Sequence, residues 1–152
     1  MDFLPLSPAD FGFDEFQNSG SSYWKTQGHD KQYVPDVMHN HMVDFLTRNR
    51  EKPFYAYYSL SHVHAEILPT PDSAPNSEDF YADNIAYMDK LVGKLIAELE
   101  PLKLRDNTMV VFVGDNGTGG GFAAQSTIGG RRLSGEKGPM LEGGANIPLI
   151  VN

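Results

Sequence analysis

A continuous apolar run, Met109-Val-Val-Phe-Val113, breaks at once into Gly114-Asp115-Asn116-Gly117. Its length and β-branched content predict a strand buried on both faces, as strands of a parallel sheet are. The polar turn at its carboxyl end then falls where ligands bind in open α/β sheets. A second apolar run, Ile147-Pro-Leu-Ile-Val151, predicts another buried strand near the end of the chain. A third, Phe54-Tyr-Ala-Tyr-Tyr-Ser-Leu60, predicts a short aromatic strand followed by a loop with His62 and His64.

Helical patterns alternate with these runs. Met38, Met42, Phe45 and Leu46 repeat on one face over 35–50, with Pro35 in the first turn and Pro53 marking the break. Residues 77–100 carry the stripe Ile85, Met88, Leu91, Val92, Leu95, Ile96 and Leu99. Asn76 or Ser77 is placed to cap it and Pro101 to end it. Residues 1–33 hold many aromatics without a period and read as an irregular segment; 117–144 is glycine-rich and reads as a long loop, with room for a short helix. This order of elements predicts an α/β fold with a mostly parallel sheet flanked by helices.

Composition narrows the function. Twenty acidic against 12 basic residues leave a net charge of −8, the wrong sign for general nucleic-acid binding. The apolar runs are too short for a membrane span. The absence of cysteine removes a disulfide framework, a thiolate zinc site and a cysteine nucleophile from this chain. Met1-Asp-Phe-Leu-Pro5 has no basic region followed by an apolar stretch, so no signal peptide is expected there.

Asp115 and Asn116 offer a carboxylate and an amide oxygen on adjacent residues, the donors that hard cations prefer. Two donors are too few for calcium, which takes about 6–8 oxygens. The same tetrapeptide also reads as a plain turn closed on its own backbone. His62 and His64, two apart, share a side if the segment is extended. They read as metal ligands, as an acid, or as solvated loop residues. His39 and His41 lie near a helix face and read as packing or exposed residues, and His29 has no supporting context. Lys137 in Ser134-Gly-Glu-Lys-Gly138 can reach an anionic substrate or stand as a surface lysine. Gly119-Gly-Gly121 lacks the spacing of a phosphate loop, and Ser134 and Thr127 are nucleophiles by type alone.

Taken in order, these segments resemble the sulfatase family. Thr108-Met-Val-Val-Phe-Val-Gly-Asp115-Asn116-Gly117 resembles its strand ending in Asp-Asn-Gly. Gly135-Glu-Lys137-Gly-Pro-Met-Leu-Glu142-Gly143-Gly144 is similar to its Gly-x-Lys-Gly-x-x-x-Glu-Gly-Gly segment, with Ile147-Pro-Leu-Ile-Val151 as the following strand. Lys52-Pro-Phe-Tyr-Ala-Tyr-Tyr58 resembles the strand that delivers a catalytic histidine, and Gly12-Phe-Asp-Glu-Phe16 another recurring stretch. The resemblance covers nearly the whole chain.

It implies that Asp115 and Asn116 ligate calcium, in preference to magnesium. It implies that Lys137 contacts a sulfate oxygen and that His64, with His62 as fallback, hydrogen-bonds the leaving oxygen or the sulfate. Glu142 and its two glycines are implied to shape the loop. His64-Ala-Glu66 departs from the family's His-x-Pro. Neither the early Asp-Asp pair nor the Cys-x-Pro-Ser-Arg segment that yields the formylglycine nucleophile is present. Residues 1–152 are therefore expected to be the central portion of a sulfatase catalytic domain, within an alkaline-phosphatase-like sandwich, and to be inactive alone. The expected substrate is a sulfated small molecule or glycan, and the expected location is periplasmic, secreted or lysosomal. A phosphodiesterase or phosphonate hydrolase of the same superfamily, and a non-catalytic protein on the same scaffold, are the alternatives.

Overall fold

The structure, a computed structural model, describes residues 7–17, 32–64 and 67–152. The described residues form an α/β arrangement in two compact units that divide between Asp106 and Asn107. Much of the aromatic opening segment, including Phe3, Tyr23, Trp24 and His29, lies outside the described residues.

The first unit is organised by two helices, α1 (Val34–Asn49) and α2 (Phe80–Leu99). Pro35 sits in the first turn of α1, where its missing N–H costs nothing. Leu46 is buried, and Met38, Met42 and Phe45 are half-buried on the same face. In α2, Leu91 and Leu99 are buried, with Leu91 only 1% exposed. Ile85, expected on the buried stripe, lies outward. The capping residue is Asp79, whose carboxylate accepts the Ala82 N–H at 3.0 Å, rather than Asn76 or Ser77. Ser77 instead donates its hydroxyl to Asp83 at 2.7 Å, so the helix starts later than the sequence pattern suggests.

Polar and aromatic contacts join these helices. The Tyr87 hydroxyl donates to Asp36 Oδ1 at 2.7 Å, and the Tyr33 and Tyr87 rings meet edge-on with centroids 5.3 Å apart. Asn84 is buried and uses its side-chain amide to hold the carbonyls of Leu68 and Phe80, both at 2.8 Å. Past α2, Lys103 N–H donates to Glu100 O at 2.9 Å and Leu104 N–H to Leu99 O at 2.8 Å. These paired bonds make a Schellman stop, with Lys103 in the left-handed region at φ 58°. Glu15, in the Gly12–Phe16 stretch, takes a two-pronged hydrogen bond from Arg48 at 2.5 and 3.1 Å.

Residues 54–60 form no regular element and pair with no strand, and Tyr55 is 74% exposed. The buried strand expected there is absent among the described residues. An apolar run becomes a strand only when a neighbour accepts its backbone groups. Phe54 instead packs edge-on against Phe45 at 5.9 Å.

The second unit contains β1 (Val111–Val113), α3 (Gly120–Ala123), β2 (Thr127–Ile128), β3 (Arg131–Arg132), α4 (Glu142–Ala145) and β4 (Leu149–Val151). Both expected strands, β1 and β4, are present, but they pair antiparallel, with Phe112 opposite Ile150. Neither is buried: Val111 is 48% and Ile150 59% exposed. No parallel strand pair is present among the described residues, and two strands cover neither face of each other. β2 and β3 form a hairpin across Gly129-Gly130, whose φ values of 57° and 78° suit a tight primed turn. The expected long loop therefore carries a hairpin as well as a short helix. No helix among the described residues is long and apolar enough to cross a membrane.

Candidate active site

The Asp115-Asn116 turn leaves β1 directly and is anchored on both sides. Gly114 N–H donates to Pro148 O at 3.1 Å, and Gly117 N–H donates to Gly144 O at 2.9 Å. A Cβ at Gly117 would overlap the Gly143 carbonyl, so the close approach of the two segments requires glycine there. The residue after the turn, Thr118, accepts the Lys137 N–H at 2.7 Å. Gly143 N–H in turn donates to Ser134 O at 2.7 Å, and a Cβ at Gly143 would overlap Gly135 O. Backbone bonds therefore stitch the Asp-Asn-Gly turn to the loop that carries Lys137 and to the Glu-Gly-Gly turn that ends that loop.

The side chains of Asp115, Asn116 and Lys137 are exposed. Asn116 donates from Nδ2 to Gly117 O at 3.0 Å, which leaves its Oδ1 as an acceptor. Part of the plain-turn reading is thus realised, without consuming the oxygen a cation needs. Asp115 carboxylate and Asn116 Oδ1 are hard donors on a pinned backbone, so they fit a hard cation. They supply two of the ligands only, and the described residues contain no group of three or more His, Cys, Asp or Glu able to hold a metal.

Glu142 is the organiser of the loop. Its carboxylate accepts Arg131 Nη1 at 2.8 Å and a second bond from Nη2. The Arg131 hydrogen bond chiefly holds this carboxyl below its ordinary range. Arg131 was not singled out by residue type. Its signal was the paired glycines flanked by Thr127-Ile128 and Arg131-Arg132, which mark a hairpin.

The two histidines of the first unit part company. Val63 between them has φ 57°, rare for a β-branched residue, so the segment turns instead of extending. His62 is 7% exposed, with Tyr33 and Tyr87 rings 6.1 and 6.2 Å away. Neither of its nitrogens has a hydrogen-bond partner among the described residues. Burial pushes its pKa down, opposed by Asp36. His64 is exposed. The extended geometry under which both would share a side is not adopted: His62 is buried and His64 exposed. Ala65 and Glu66, where the chain departs from His-x-Pro, lie outside the described residues. His39 is also buried, and His41 Nε2 lies 3.7 Å from Glu15.

An α/β chain with a strand-end Asp-Asn-Gly turn bonded to a lysine loop matches one family closely. The sulfatase family model matches residues 4–152, and the chain belongs to the sulfatase family. It is 36% identical over 116 residues to steryl-sulfatase of Rattus norvegicus, covering 71% of this chain and 20% of that protein. It is 29% identical over 143 residues to N-acetylgalactosamine-6-O-sulfatase of Bacteroides thetaiotaomicron, covering 86% of this chain and 26% of that protein. Arylsulfatase H of Homo sapiens is 31% identical over 88 residues, or 57% of this chain and 16% of that protein. The chain thus spans about a fifth to a quarter of the first two relatives.

Proposed function

We propose that this chain is the central segment of a sulfuric ester hydrolase, with Asp115 and Asn116 as two calcium ligands and Lys137 as a sulfate contact. The observation that carries the reading is the backbone stitch Gly117–Gly144 and Thr118–Lys137, which holds the oxygen donors and the cation-bearing loop together. Cleavage of a sulfate ester concentrates negative charge on the sulfuryl oxygens and on the departing oxygen. The Lys137 ammonium offsets the first. His64, protonated, donates to the second. When bound, calcium would add electrostatic stabilisation, and a formylglycine in the parent protein would supply the nucleophile.

In the parent protein this segment is assigned to an alkaline-phosphatase-like sandwich, where further strands would complete a mostly parallel sheet around β1. The substrate class is a sulfated small molecule or glycan, and the location is periplasmic, secreted or lysosomal. The Lys137 loop with Glu142-Gly143-Gly144 favours this reading over a phosphodiesterase or phosphonate hydrolase.

The test has two arms. Calcium titration of the 152-residue chain should give weak binding that Asp115→Asn weakens further, and the chain alone should release no sulfate from an aryl sulfate. Tight calcium binding or turnover by the chain alone refutes the assignment as a segment with half a metal site. A longer form that also carries the formylglycine segment should hydrolyse the aryl sulfate and lose most activity on Lys137→Ala. Full activity of that variant refutes the role of Lys137.

A further inference from the structure

We propose that Arg131 is a positioning residue for Lys137, acting through Glu142 as the clasp of the loop that carries the lysine. The inference rests on the sulfatase reading of the Lys137 loop and adds to it the device that holds that loop in place.

The loop leaves β3 at Arg132 and returns at α4 with Glu142. Lys137 lies midway, in Gly135-Glu-Lys-Gly138, where φ at Gly135 and Gly138 is 78° and 113°. A chain so rich in glycine has many alternative conformations to lose before a lysine can be aimed. Apolar packing gives little help: Lys137, Gly138, Pro139, Met140 and Leu141 are all exposed. What closes the loop is polar. The Glu142 carboxylate takes the Arg131 guanidinium fork, and the next residue, Gly143, donates to Ser134 O. Both ends of the loop are therefore bound to one carboxylate and its neighbouring amide.

The geometry also explains why arginine stands at 131. The two guanidinium nitrogens reach the two different oxygens of Glu142, an arrangement a lysine ammonium cannot reproduce. The hairpin supplies the direction. Arg131 and Arg132 are consecutive strand residues, so their side chains leave on opposite faces, and only Arg131 faces Glu142. From Glu142 the ordering passes along the backbone: Gly144 O holds Gly117, and Thr118 O holds the Lys137 amide. Loss of the clasp would free the loop at its base while leaving Lys137 itself intact.

The experiment measures amide hydrogen exchange on the full 152-residue chain, with the α2 amides as an internal reference for global folding. Arg131→Gln and Glu142→Gln should each speed exchange at Lys137 and Gly143 by about two- to five-fold, the scale of an exposed ion pair. The α2 amides should be unaffected. Arg131→Lys should recover part of the protection, and the swap Arg131→Glu with Glu142→Arg should recover more than either single reversal. Unchanged exchange in both glutamine variants, or acceleration that the swap does not rescue, overturns the clasp. Inorganic sulfate, followed at the Lys137 amide, separates this from the functional reading. If the clasp variants loosen the loop but sulfate leaves the wild-type Lys137 amide unmoved, the clasp stands and the sulfate-contact reading falls. If sulfate binds and Lys137→Ala abolishes it while Arg131→Gln changes neither exchange nor affinity, the clasp falls alone.

Discussion

Gly117 N–H bonds to Gly144 O at 2.9 Å, with the neighbouring Gly143 carbonyl occupying the space a side chain on Gly117 would need. This contact between two backbones seals the Asp115-Asn116 turn to the segment that follows the Lys137 loop. Because the obstructing atoms are main chain, no side-chain rotation relieves the clash. Gly117→Ala should therefore cost about 1–3 kcal/mol, the range for overpacking a close contact. Denaturant unfolding of the second unit, followed by exchange at the Gly117 and Gly144 amides, checks this; an unchanged midpoint would mean the segments separate freely.

His62 makes the first unit acid-sensitive. Its folded-state pKa lies below the usual 6.5 because burial between Tyr33 and Tyr87 disfavours the charged ring, while Asp36 opposes the shift. A depressed histidine binds protons more readily when unfolded. Its stabilising contribution is complete above pH ~6.5 and is lost as pH falls from there through the lowered folded value. Buried His39, shifted the same way by desolvation and Lys94, adds to the slope. Thermal melts between pH 7.5 and 4.5 should show a decline that His62→Phe makes shallower. An identical pH profile in that variant removes His62 as its source.

Leu91 is the most buried large side chain among the described residues of the first unit, so its truncation leaves a void that the neighbouring side chains fill poorly. Leu91→Ala should destabilise by about 2–5 kcal/mol. Val92→Ala on the same helix, half-buried, should cost less. Chemical denaturation of the two variants gives the comparison, and equal costs would mean that α2 packs through a different face.

Lys103 adopts φ 58° where the Schellman stop requires a left-handed residue. A side chain there costs roughly 1–2 kcal/mol, partly offset by the greater freedom that glycine would have when unfolded. Lys103→Gly should thus stabilise by up to about 1 kcal/mol, or about 2–4 °C in Tm for a chain of this size. Lys103→Val should do the reverse. A drop in Tm for the glycine variant would assign Lys103 a compensating contact.

Local chemistry was legible wherever it depended on short-range rules. Pro35 marked the first turn of α1, Pro101 followed the end of α2, and the 3.6-residue stripe located both helices. The Asp115-Asn116-Gly117 turn and the Lys137 loop were legible as motifs, and the structure links them through backbone bonds. The cap of α2 was misplaced because Asn76, Ser77 and Asp79 are all capable of capping, and Ser77 found another partner in Asp83. The geometry of the histidine pair was left open by the sequence because it hangs on the backbone of Val63, which nothing in its side chain announces.

By itself the sequence determined the family, the helices and the runs that form β1 and β4. The helices and the apolar runs follow from covalent structure and near-neighbour sterics, which act over a few residues; the family follows from the ordered motifs along the chain. Only the tertiary structure decided that β1 and β4 pair antiparallel, that 54–60 finds no strand partner, that His62 turns inward while His64 turns out, and that Arg131 closes on Glu142. Those outcomes depend on which distant groups are brought within hydrogen-bonding reach, and an apolar run or a charged side chain does not encode its partner.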